Sequence, residues 1–96
     1  MHLPEKTTVE LKDVITKALV KNLAFSEMYS DAIVKISLER MPDDIDGHKL
    51  VEDFNRKFKV AMLSYFSVWG EDLVKSVCEI ILEASRPVLT RLSGQK

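Results

Sequence analysis

One cysteine, three glycines, three prolines and two histidines are all that this chain of 96 residues has of the side chains that cross-link, bend or ligate. The single thiol, Cys78, excludes an internal disulfide. Nothing at the amino terminus shows the charged, apolar and small-residue order of a secretion signal, so a reducing interior, the cytoplasm, is the expected setting. His2 and His48 have no neighbouring ligands at metal spacing, and neither metal nor cofactor is expected. No apolar run exceeds four residues, far short of the roughly 20 that a membrane-spanning helix needs.

An excess of one charge is also missing. Lys and Arg number 14 against 15 acids; residues 1–41 carry six of each, 42–70 four against five, and 71–96 four of each. A surface that tracks phosphates needs several cations on one face, so this balance disfavours nucleic acid as a partner. Phosphate-cradling glycine loops, a nucleophile elbow, a metalloprotease helix and paired cysteine ligands are absent, and no catalytic residue is assigned. The reading is a protein that is not an enzyme.

What the chain does have is apolar residues, 46% of it, beside 30% charged, enough for one globular domain over 1–96 with flexible ends at 1–6 and 93–96. Period-two alternation and hairpin turn dipeptides are missing, and the rest reads as helix. Thr7, three residues ahead of Glu10, predicts an N-cap with a capping box. Leu11, Val14, Ile15, Ala18 and Asn22 recur at helical spacing, and Phe25, Tyr29, Ala32, Ile33 and Ile36 keep the same phase. One helix over about 7–40, some 50 Å long, fits that phase. The alternative breaks it at 22–26, with Ser26 as a new N-cap.

Met41 to Gly47, with Pro42 and three aspartates, predicts a short turn between antiparallel helices. The second helix then spans 46–69 on a seam of Val51, Phe54, Phe58, Ala61, Tyr65 and Val68. Gly70 predicts its C-cap. A third helix follows over 71–92 with Leu73, Val77, Ile80, Ile81, Ala84 and Val88 inward, kinked or restarted near Ser85 and Arg86 because Pro87 removes an amide donor. The expected fold class is all-α, an antiparallel bundle of three to four helices.

Three features could carry chemistry, and each has a plainer explanation. Asp44, Asp46 and Gly47 match three positions of a calcium loop, but Pro42, Leu50 and Asp53 stand where further ligands belong; capping accounts for them. Cys78 has no basic partner and reads as a small core thiol. Glu79 and Glu83 read as solvated acids on a polar face.

The anomaly lies between Val60 and Trp69, where eight of ten residues are apolar and Val60, Leu63 and Phe66 point away from the seam. Cys78, Leu82 and Leu89 widen the stripe of the third helix. Too few helices are available to cover such a surface, which predicts a face of Val60, Leu63, Phe66, Trp69, Leu82 and Leu89 that meets a second copy or another protein. The expected function is a small interaction module: an adaptor, assembly factor, inhibitor or regulatory subunit. The alternative is a dimeric nucleic-acid-binding regulator that contacts phosphates through Arg56, Lys57 and Lys59.

Overall fold

Four α-helices account for most of residues 2–42 and 44–94, the part of the chain that the computed structural model describes. They are α1 (Glu5–Leu23), α2 (Glu27–Arg40), α3 (Leu50–Tyr65) and α4 (Glu71–Ser93), with single 3₁₀ turns at Gly47–Lys49 and Ser67–Trp69. No strand occurs among the described residues, and no described helix is long and apolar enough to cross a membrane. The fold is an all-α bundle.

α1 starts two residues before the expected cap. Pro4 has φ −57°, already set for a helix start, and the Thr8 amide and hydroxyl both donate to its carbonyl at 3.0 and 3.3 Å. Thr7 is therefore inside the helix, and Glu10 pairs with Arg91 of α4 instead of capping. Leu3 packs against the core just ahead of the helix. At the other end Ser93 closes α4, and the fraying expected there falls in part on 95–96, outside the described residues.

The single long helix over 7–40 does not form. Ala24 turns left-handed at φ 56° and ψ 26°, and the Ser26 hydroxyl accepts from the Tyr29 amide at 3.1 Å to start α2. This break shifts the phase by about one residue, or 100°. α2 buries Ser30, Ile33, Val34 and Ser37, whereas the unbroken phase put Tyr29, Ala32, Ile33 and Ile36 inside. Ser30 and Ser37 are fully enclosed with hydroxyls that lack a hydrogen-bond partner, as does the Thr16 hydroxyl on α1. The three-residue hinge folds α2 back onto α1, tied by Lys12 to Asp31 at 3.2 Å.

The connection from α2 to α3 is not a tight turn. Arg40, the last residue of α2, donates from Nη2 to the hydroxyl of Tyr65, the last residue of α3, at 2.6 Å. Tyr29, in the first turn of α2, receives a bond from Trp69 Nε1 at 3.2 Å. Both ends of α2 thus reach the Tyr65–Trp69 segment, and α2 lies across the end of α3. The chain must then travel back along α3, about 24 Å at 1.5 Å per residue, before that helix can begin. Residues 41–42 and 44–49 do so, buried at Met41 and Ile45 and held to α3 where Lys57 donates to the Asp44 carbonyl.

α3 ends at Tyr65, four residues early. Phe66 leaves the helix at φ −118° and ψ 35°, its ring stacks on Trp69 at 4.6 Å, and the Trp69 amide donates to its carbonyl at 3.0 Å. Gly70, at φ 79° and ψ 159°, takes a conformation reserved for glycine and opens α4 rather than capping α3. α4 runs without restart through Pro87, which sits beside Arg86 on the exposed side of the helix. It packs antiparallel on α1, joined by Glu10 and Arg91 at one end and by Phe25 and Trp69 rings at 6.4 Å at the other. Each helix has two main neighbours: α1 touches α2 and α4, and α3 touches α2 and α4. Leu11, Ile15, Leu19, Phe54, Phe58, Met62, Val77, Ile81 and Leu89 fill the centre.

Two stability outcomes follow from this packing. Phe54→Ala removes a fully enclosed ring and lowers the unfolding free energy by about 3–5 kcal/mol in a denaturant titration. Ala24→Gly relieves a left-handed alanine and raises it by about 0.5–1 kcal/mol, the relief partly offset by the looser unfolded chain.

Candidate functional site

A helix with two neighbours keeps one side open, and on α3 that side is not uniformly polar. Its inner face is Leu50, Phe54, Phe58, Ala61 and Met62, all buried. At 100° per residue Val60 and Leu63 fall on the opposite side, and they are 58% and 40% exposed. Their own chain does not enclose them.

The remaining residues of the expected face divide into two groups. Phe66, Trp69 and Leu82 are half-buried at its edge. Leu89 is fully enclosed and belongs to the core, not to an outer face, because α4 is contacted by both α1 and α3 and so buries a wide stripe. Two residues of the expected α3 seam move the other way. Tyr65 is exposed, and Val68 is 91% exposed, because the helix stops at Tyr65 and the 3₁₀ turn after it swings Val68 outward.

Phe25, Tyr29, Phe66 and Trp69 gather at the end of the bundle where α1 stops and α2 and α4 start. Phe25 meets Tyr29 edge-on at 5.3 Å and Trp69 at 6.4 Å, and Arg40 lies over the Tyr65 ring at 4.9 Å. Sequence reasoning assigned Phe25 and Tyr29 to the core stripe of a continuous helix. Met28, beside them and 84% exposed, drew no notice.

Between α3 and α4 runs a groove of about 400 Å³. Phe58 and Ile81 form its floor, and Cys78 and Leu82 its α4 wall. Arg56 and Lys59 stand on its α3 rim, with Lys75 and Glu79 on the α4 rim. Burial pushes the Cys78 thiol above its ordinary value, with Glu79 adding to the shift and Lys59 opposing it. A thiol so placed is protonated at neutral pH and a poor nucleophile.

Arg56 and Lys57, expected as phosphate contacts, serve the loop. Asp53, buried at the foot of α3, accepts the Asp46 amide at 2.8 Å, Arg56 Nη2 at 2.6 Å and Lys57 Nζ at 3.0 Å. These bonds, the Asp46 amide first, hold the Asp53 carboxyl well below the usual carboxylate range. Asp46 in turn accepts the His48 amide at 2.9 Å and caps the 3₁₀ turn, so the aspartate cluster orders the chain into α3. Among the described residues no group of three or more His, Cys, Asp or Glu side chains is arranged to hold a metal ion.

The Asp53 cluster sets a pH dependence. Because the folded protein binds the Asp53 proton less tightly than the unfolded chain, the cluster's stabilisation is complete above the ordinary value of 3.8 and is lost as pH falls below it. Asp53→Asn should lower the melting temperature at neutral pH and show a shallower loss of stability below about pH 4 than the parent, followed by circular dichroism melts. Comparison with protein-family models, with curated proteins and with solved structures finds no match for this chain.

Proposed function

We propose that this protein is a small, non-enzymatic interaction module that docks another protein on the outer side of α3 and the adjoining edge of α4. The observation that carries this reading is the exposure of Val60 and Leu63, 58% and 40%, opposite a fully apolar inner face. Fully burying such a side chain is worth about 1.5–3 kcal/mol, so covering both, with Leu82 and Phe66 at the edge, is a worthwhile fraction of a binding free energy. Charged side chains flank the pair, Arg56 and Lys59 one turn before them, as at the polar rim of an interface. An adaptor, assembly factor, inhibitor or regulatory subunit would use such a face, whether its partner is another protein or a second copy. The lone Cys78 thiol is in keeping with a cytoplasmic setting.

The nucleic-acid reading has less support. Of its three cations, Arg56 and Lys57 already bond Asp53. Phosphate binding would have to compete with that buried carboxylate, and an apolar surface beside the cations offers nothing to a phosphate backbone.

Replacing Val60 and Leu63 together by aspartate tests the docking reading. Both side chains are exposed, so the unfolding free energy should change by less than about 1 kcal/mol. A photo-crosslinker at position 63 should trap a partner or a second copy in cells, and Val60→Asp should abolish the adduct. Unfolding of the double variant, or no adduct from position 63, would end the proposal.

A further inference from the structure

We infer that the occupant of the α3/α4 groove is an amphipathic helix of another protein with acidic residues on both sides of its apolar stripe. This rests on the docking reading and names the chemistry of the partner. The shape comes first. A cleft between two antiparallel helices, floored by Phe58 and Ile81 and walled by Cys78 and Leu82, is the surface into which a third helix lays residues at i, i+3, i+4 and i+7. Leu63, one turn beyond Lys59 on α3, extends that apolar surface past the groove.

Charge then selects the occupant. The rim carries Arg56 and Lys59 on one helix and Lys75 on the other, against Glu79 as the one acid lining the groove, on a chain whose formal net charge is −1. Because Asp53 already bonds Arg56, the uncompensated cations of the groove are Lys59 and Lys75, against the single acid Glu79. Arg56 keeps a side chain 71% exposed while bonded to Asp53, and its guanidinium has donors to spare. A helix with acids on both flanks meets Lys59 on one rim and Lys75 on the other. A second copy related by a two-fold axis would set this rim against itself, bringing like charges together. A nucleic acid would leave the apolar floor wet.

The test uses three synthetic helices of about 18 residues, five turns, with one leucine stripe and flanks of all Glu, all Gln or all Lys. Fluorescence anisotropy at low salt should rank them Glu over Gln by at least about tenfold, with the Lys helix not bound and the preference shrinking as salt rises. Lys59→Glu with Lys75→Glu, both exposed positions, should reverse the ranking with the circular dichroism spectrum unchanged. Saturation with the Glu helix should slow alkylation of Cys78, the only thiol, which places the ligand in the groove. Equal binding of all three helices would overturn the acidic partner and leave the docking reading standing. Binding that ignores the charge reversal, or leaves Cys78 alkylation unchanged, would place the ligand elsewhere and overturn it too. If no helix binds and light scattering shows a dimer that Leu63→Asp dissolves, the occupant is a second copy; if no helix binds and the chain stays monomeric, the inference fails, and the crosslink from position 63 separately decides the docking reading.

Discussion

Only two sides of each helix are covered in this fold, and that limit governs what the surface can be. α1 answers it with Asp13, Lys17 and Lys21 outward, α2 with Glu27, Lys35 and Glu39, and α4 with Lys75, Glu79, Glu83 and Arg86. α3 does the same in its first half, through Glu52 and Arg56, and then stops doing so. Elsewhere in the helices the exposed large hydrophobics are Val9 on α1 and Met28 with Tyr29 at the start of α2, whereas on α3 the open side itself becomes apolar, at Val60 and Leu63. A fifth helix, or a longer α2 laid along α3, would have covered it.

α2 is kept from that position by the route of the chain around it. The residues described between α2 and α3, 41–42 and 44–49, occupy one flank of α3, pinned by Met41 and Ile45 in the core and by Asp53, Arg56 and Lys57 at the surface. With that flank taken, α2 is placed across the far end, where Tyr29 and Arg40 meet Trp69 and Tyr65. Ion pairs at exposed positions contribute little to stability, but an aspartate enclosed by an amide and two cations fixes a path. The groove beside α4 and the bare shoulder at Leu63 are what this path leaves uncovered.

Much of this was legible in the sequence, and the misses share a cause. Helical spacing found the helical segments and the inward residues Leu11, Ile15, Phe54, Phe58, Val77 and Ile81, because a 3.6-residue period survives wherever a helix is continuous. It also singled out Val60 and Leu63. It failed where the backbone changes phase: at Ala24, which turns left-handed without a glycine to announce it, and at Phe66, which leaves the helix without a proline. Past each point every projected side chain is rotated, so Tyr29 and Val68 come out where they were expected in. Leu89 was misplaced for a different reason: a stripe that looks too wide for one neighbour is the right width for two. The groove could not be read at all, since its rims come from residues some 20 positions apart that only the α3–α4 packing brings together.

The enclosed hydroxyls of Thr16, Ser30 and Ser37 bear on what the pairing of α1 with α2 costs. Half of what α2 buries is serine, and a hydroxyl withdrawn from water without a partner opposes folding rather than favouring it. Ile33 and Val34, with the aromatic and arginine contacts at its ends, must offset that cost for α2 to stay in place. The element that carries this cost rests on the same Tyr65–Trp69 segment that adjoins the exposed shoulder of α3.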